Sequence, residues 1–389
     1  MKRYAIFFPQ FHKIKINDRA WGHGFTDWAL VAAANAFDYW PRRSPACGFY
    51  DLSQDDHIRA RFEAASGAGL DGFGIYHYRF DDGPELHTVE QYLRRKGPPR
   101  GFNYFYIWAN ENWSTRWVMS NIRILKEISA RPDRAAVADH VKYLVPFMES
   151  SLYTKAGDRP LFVIYRPDNF AAPDVSLALY RDEFKRAGLN PLIGFFVKHI
   201  TDMQYSTLFD FCYLFEPRLF LNFRSVRKNV AAIKAYRMLT RSMSPRMVEL
   251  CSEVITGFLN KFSASYTFAE FLRYFASEGR RRFVRSSICP VQEIVTCGWN
   301  NAPRYRNRFT RLEVPTVREF SSMMSMVADS AAGRSDIPLL CNAWNEWSEG
   351  AAIEPCYYLG DALLTSFVDT EGGGADGCKY EQQLCQQQF

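Results

Sequence analysis

Several signatures that would assign this chain to a common class are missing. It has nine cysteines but no Cys-x-x-Cys pair and no regular spacing. That excludes a disulfide framework and reads as reduced, mostly buried thiols of a cytoplasmic protein. No His-x-x-x-His or paired His/Cys spacing suggests zinc, and no metal or other cofactor is expected. No Gly-x-Gly-x-x-Gly follows the first apolar run, which argues against a dinucleotide fold. A phosphate-binding Gly-Lys-Ser/Thr loop and a Gly-x-Ser-x-Gly nucleophile turn are also absent. No apolar run reaches membrane-spanning length. Lys2 and Arg3 are followed by only Tyr4–Phe8 before Pro9, too short for a secretory leader. The expectation is a cytoplasmic protein, either free or in peripheral contact with the inner membrane face. A net charge of +6 over 389 residues is mild. It gives no case for nucleic acid and is compatible with an anionic substrate or an acidic membrane surface.

What is present is an aromatic-rich globular chain, 47% hydrophobic and 16% aromatic. Eight short apolar runs recur: Tyr4–Phe8, Gly72–Tyr76, Tyr104–Trp108, Leu161–Tyr165, Leu192–Val197, Phe211–Phe215, Val291–Thr296 and Pro338–Cys341. They are rich in Phe, Ile, Val and Tyr, as buried strands are. Amphipathic segments such as Asp55–Ala68, Arg134–Ser150 and Ser176–Ala187 lie between them. Strands alternating with helices give a parallel sheet, and eight repeats in this length predict an α/β fold, the (β/α)8 TIM barrel. An open doubly wound sheet is the alternative. One domain is expected over residues 1–368, with a flexible tail over 369–389. A helical insertion at about 220–287 separates strands six and seven. From Arg218 to Arg246 it carries eight basic residues and no acid, and Arg280, Arg281, Arg282 and Arg285 follow. It reads as a solvated insertion or as a basic patch for an acidic substrate, a diphosphate or an anionic membrane.

Polar and aromatic clusters follow most of these strands. Gln10 and His12 follow the first, and Tyr76 and His77 close the second. After the third come Trp108, Asn110, Glu111, Asn112, Trp113, Arg116 and Trp117. Arg166 follows the fourth, Glu216 the sixth, and Trp299, Asn300 and Arg304 the seventh. The fifth strand ends in Lys198-His199 and is the least telling. In a barrel these positions open on one rim, where such enzymes keep their sites. The eighth strand leads into Asn342-Ala343-Trp344-Asn345-Glu346-Trp347-Ser348-Glu349-Gly350. Indoles offer platforms for sugar rings, and amides offer donors and acceptors for hydroxyls. Paired carboxylates serve glycosidic-bond chemistry, one at the leaving oxygen and one on the sugar side. From spacing alone, Glu346 and Glu349 could equally be solvated acids at a helix start. His12 and His77 could be ligands, bases or satisfied core histidines. Asp55-Asp56 and Asp81-Asp82 are weak candidates for a divalent ion.

Several blocks together resemble the WbsX-like family, bacterial relatives of glycoside hydrolase family 99. They are Phe8–His12, Trp21–Trp28, Tyr50–Leu52, Gly69–Phe73, Tyr76–Tyr78, Trp108–Trp113, Gly298–Arg304 and Asn342–Pro355. The resemblance implies a (β/α)8 barrel and a retaining reaction at an α-glycosidic bond. It adds Trp28 to the substrate-binding candidates. By this likeness Glu346 helps the sugar 2-hydroxyl attack its own anomeric carbon, giving a 1,2-anhydro sugar. Glu349 protonates the departing oxygen and then activates the incoming water or hydroxyl, which requires it protonated near neutral pH. The family is associated with bacterial surface polysaccharide (O-antigen, capsule, lipopolysaccharide) synthesis. The implied partners are an oligo- or polysaccharide, lipid-linked or free, and an activated sugar donor. A glycosyltransferase is the favoured expectation, beside an endo-acting α-mannosidase-like hydrolase and an inactive carbohydrate-binding barrel. Pro45-Ala46-Cys47-Gly48 replaces a longer family loop and borders the expected cleft.

Overall fold

The computed structural model describes residues 1–34, 44–115, 123–228, 264–305, 309–330 and 336–369, with the backbone alone at 224–228. Eight strands form its centre: β1 (Arg3–Phe7), β2 (Gly72–Phe80), β3 (Asn103–Trp108), β4 (Arg159–Ile164), β5 (Leu192–Val197), β6 (Phe211–Leu214), β7 (Val291–Thr296) and β8 (Leu339–Asn342). Each pairs in parallel with its sequence neighbours. β1 also pairs with β8, Arg3 opposite Leu339, so the sheet closes on itself. Closure leaves no free edge. This is the (β/α)8 barrel expected from the eight apolar runs, with strand ends displaced by at most two residues except at β2. That strand runs on to Phe80 and pairs with Gly83–Glu85.

Helices α1 (Lys15–Trp21), α2 (Asp27–Ala33) and α3 (Asp55–Gly67) connect β1 to β2. Helices α4 (Thr88–Lys96), α5 (Arg134–Met148) and α6 (Pro173–Arg186) carry the next three crossovers. α3 shows why these segments are helical. Asp55 and Asp56 sit in its first turn, where acids complement the helix dipole. Its buried residues, Ile58, Arg61, Phe62 and Ala65, recur at helical spacing. Phe62 packs on Phe73 of β2 at 5.0 Å between ring centroids and on Phe7 of β1 at 5.7 Å. Truncating such a ring to alanine costs about 3–5 kcal/mol.

Large aromatics fill the barrel because glycines face them. The phenol ring of Tyr4 lies where a Cβ on Gly72 would be, and the ring of Phe211 occupies the corresponding space at Gly194. The lower end is closed by hydrogen bonds from Tyr213 to the Pro338 carbonyl (2.8 Å) and from Gln292 to the Ile337 carbonyl (2.7 Å).

Between β6 and β7 the described residues give α7 (Arg218–Lys228), α8 (Phe268–Phe275) and α9 (Glu278–Arg285). Most of the basic run between Arg224 and Arg246 lies outside the described residues. The second basic run is not a free patch. Arg280 is buried between Glu216 and Glu293 and stacks on the Phe275 ring at 3.9 Å. Arg281, Arg282 and Arg285 gather around Glu278. Two further helices, α10 (Ala302–Tyr305) and α11 (Val317–Ser330), follow β7, and α12 (Ala362–Val368) follows β8. Among the described residues, no helix is long and apolar enough to cross a membrane. Five of the six described cysteines are buried free thiols, and Cys47 is exposed.

Candidate active site

The segment after β8 makes a tight turn. Glu346 and Ala351 exchange backbone hydrogen bonds at 3.1 Å, and Trp347–Glu349 form a single helical turn inside that loop. Gly350 closes it at φ 62, and a Cβ there would lie 2.9 Å from the backbone nitrogen of Asn300. Only glycine meets both demands. The turn aims Glu346 and Glu349 at one guanidinium, that of Arg304 on α10. Nη1 of Arg304 donates to Glu349, and Nη2 lies 3.4 Å from Glu346. Nη2 also donates to Asp27, at the start of α2, at 2.9 Å. The Ser348 hydroxyl donates to the same Asp27 oxygen.

Three carboxylates from two segments thus share one arginine in a buried setting. Burial pushes the Glu346 carboxyl well above its ordinary value; Arg304 opposes this, and Glu349 and Asp27 add to it as like charges.

Aromatic rings border the acids. Tyr76 and Tyr165 meet edge to face at 5.9 Å, and the Tyr76 phenol lies in the field of Glu346 and Glu349. Beyond Tyr165 lies a basic side. Lys198 holds its Nζ 3.9 Å over the Tyr165 ring, Arg218 lies 5.3 Å from the Trp299 ring, and Arg166 pairs with Glu111 at 3.3 Å and Asp168 at 2.7 Å. Glu111 is held below its ordinary value: enclosure raises it, but Lys198, Arg166 and Arg218 outweigh that.

Other expected residues are positioned as supports. Asn345 locks the turn to β1, accepting from the Phe8 amide at 2.7 Å and donating to the Phe8 carbonyl at 3.0 Å. Asn110 makes the same two-way bond to the backbone of Arg166, 2.7 Å each way. Asn342 donates to the Glu216 carbonyl, Asn112 accepts from the Ile128 amide, and Asn300 accepts from the Ala302 amide. Trp28 is stacked between Phe11 and Phe49, so neither face is open to a sugar. Trp113 packs on Tyr78 and Phe80. His12 is buried with Nδ1 on the Pro9 carbonyl, and burial lowers its pKa. Gln10 is buried, with both amide atoms lacking partners among the described residues.

Four expected residues do not join the rim. His77 is buried behind the barrel, with Nδ1 2.8 Å from Glu90 and Nε2 2.9 Å from His140. Because β2 continues past it, strand alternation turns Tyr76 inward and His77 outward. Trp108 packs on His140 and Tyr180 in the same outer layer. Trp344 is fully buried against Phe73. Glu216 belongs to the Arg280 cluster, and burial pushes it up to about 7 against the pull of Arg280. Arg116 lies outside the described residues.

Asp27, Ser348, Tyr165, Lys198 and Arg218 were not among the candidates. Asp27 had a usable signal, since it directly precedes Trp28 in a block already singled out. Ser348 lies inside the motif after the eighth strand and Arg218 opens the basic run, so each had a signal too, whereas Tyr165 and Lys198 had none.

The Glycosyltransferase WbsX family model matches residues 3–367. The chain belongs to the WbsX glycosyltransferase family. Similar curated proteins include the WxcX proteins of two strains of Xanthomonas campestris pv. campestris, 27% identical over 370 residues. The match covers 92% of this chain and 48% of the WxcX protein, so the chain spans about half the length of the curated relatives it matches. Among solved structures, the GH99 endo-alpha-mannosidase from Bacteroides thetaiotaomicron superposes with a TM-score of 0.53 at 12% identity, covering 94% of this chain and 96% of that one. A glycoside hydrolase-like protein superposes at 0.52 and 13% identity, over 84% and 88% of the two chains. At these identities the WbsX-family barrel shares the GH99 fold. The family and the fold together make the chain a member of a carbohydrate-active enzyme family.

Proposed function

We propose that the Glu346–Glu349 pair catalyses glycosyl transfer from an α-linked sugar, in the synthesis of a bacterial surface polysaccharide. One observation carries this reading: two glutamates of one turn, with Asp27 beside them, converge on the single guanidinium of Arg304. Such crowding, added to burial, favours a proton on Glu346, and a two-carboxylate reaction starts with one proton available at the pair.

In the proposed reaction Glu346 takes the proton from the sugar 2-hydroxyl as that oxygen bonds to the anomeric carbon. The bond from the anomeric carbon to the departing oxygen breaks, and Glu349 gives that oxygen its proton. An incoming hydroxyl then loses its proton to Glu349 and attacks the anomeric carbon. The 2-oxygen leaves that carbon and recovers its proton from Glu346. Both acids return to their starting states, and two inversions give net retention. Burial favours the proton on Glu346, and Arg304 lies against Glu349. The reaction therefore requires the proton and the guanidinium to exchange places as the 2-hydroxyl docks against Glu346.

Likeness to an endo-alpha-mannosidase in fold favours a second reading, in which water is the incoming group. Incubation with α-mannan fragments and with activated sugars plus a lipid-linked acceptor separates the two. Sugar added to the acceptor supports transfer, and new reducing ends support hydrolysis. Binding of either saccharide without turnover contradicts both.

A further inference from the structure

Around Tyr165, two cations make no direct ion pair among the described residues and feel acids only through space. Lys198 is only 8% exposed, yet no carboxylate or other hydrogen-bond acceptor reaches its Nζ among the described residues. Arg218 likewise makes no ion pair among the described residues and lies against the Trp299 indole. The carboxylates nearby are engaged elsewhere. Glu111 and Asp168 both pair with Arg166, and Asp202 accepts from the backbone amides of Lys198 and His199 at 2.8 Å each. An enclosed ammonium held only by the fields of Glu111, Asp168 and Asp202 is less well compensated than one in a direct pair. Burial and the neighbouring Arg166 already lower the Lys198 pKa to about 8. Stability gives no reason for an ammonium in this place, since a methionine would fill the volume without the desolvation cost.

We propose that Lys198, with Arg218 beside it, seats an oxyanion carried by the sugar adjacent to the one being transferred, so that the glycan handled here is acidic. Tyr165, beneath the ammonium, lies in the field of both Arg218 and Glu349. An oxyanion there would receive charge-assisted hydrogen bonds and supply the direct ion pair. The chemistry is shared by a uronate carboxylate and by a phosphodiester between sugars. The inference rests on the reading of this rim as a glycan cleft.

Direct binding separates the two ideas. Titrate the protein and its Lys198→Met and Lys198→Arg variants with three probes: methyl α-glucuronide, a methyl α-glucoside phosphodiester, and neutral methyl α-glucoside. The expected result is that at least one charged probe binds about ten-fold or more tighter than the neutral one. Lys198→Met should erase that preference while keeping neutral-sugar binding, and Lys198→Arg should keep both. Whether the uronide or the phosphodiester wins identifies the source of the charge. Equal binding of all three probes, or a preference that survives Lys198→Met, overturns the oxyanion seat and leaves the glycan cleft standing. Binding of none of them overturns both.

Discussion

Two buried arginines in this barrel have similar partners and different surroundings. Arg280 sits behind the strands with Glu216 and Glu293, its guanidinium bonded to Glu293 at 3.1 and 2.5 Å and covered by Phe275. Arg304 sits at the strand ends with Asp27, Glu346 and Glu349. The first cluster has two acids for one cation and an aromatic cap. The second has three acids for one cation and borders the tyrosines of the rim. A charge cluster that serves folding is closed and nearly balanced. The proposed chemistry fits the second cluster, whose acids outnumber the guanidinium they share, so that a proton or a substrate completes it.

The largest effect is expected from Glu349→Gln, which keeps the shape of the turn and removes the transferable proton. Turnover should fall by about a thousand-fold or more, measured with whichever donor the wild type accepts. Arg280→Met should give the opposite result. Denaturant unfolding should register a loss of about 3–5 kcal/mol, because Glu216 and Glu293 stay buried without their partner. Turnover per folded molecule should be unchanged, and a rate loss equal to that of Glu349→Gln would erase the distinction between the clusters.

A smaller effect concerns pH. Burial pushes the Glu354 carboxyl up to about 7, against Arg61 and against donors from Trp347 and Tyr50. A carboxyl raised on folding stabilises fully below its unfolded value near 4.5, and that stability is lost as pH rises to about 7. Unfolding free energy should therefore drop across this window by about 1–3 kcal/mol. Glu354→Gln should flatten the slope, and an unchanged slope would remove Glu354 as its source. The smallest effect is that of Ser348→Ala. It deletes one hydrogen bond to Asp27 and should cost about 1 kcal/mol by thermal unfolding, with a modest fall in turnover.

The eight strands were legible because each is a short apolar run, buried on both faces, between helices of opposite pattern. The turn bearing Glu346 and Glu349 was legible because tryptophans, amides and acids are concentrated there. What failed was facing. Whether a residue at a strand end looks into the barrel or into the helices depends on where the strand stops. β2 stops at Phe80, not Tyr76, and His77 therefore bonds to Glu90 and His140, away from the rim. Asp27 lay in a block already singled out, but its place at a helix start, where an acid needs no special reason, drew no attention to it. Lys198 was hidden because one basic residue carries no pattern. Its meaning depends on burial without a direct ion pair, which only the packed fold reveals.

The comparison between the two arginine clusters is tested most directly by measuring turnover and unfolding free energy together for Glu346→Gln and Glu293→Gln. Glu346 already favours its protonated form, so its amide should leave stability within about 1 kcal/mol while turnover falls by about a thousand-fold. Glu293→Gln should keep turnover and lose about 1.5–3 kcal/mol of stability, as a charged hydrogen bond to Arg280 is weakened. A fully active Glu346→Gln protein, or a folded but inactive Glu293→Gln protein, would contradict the account.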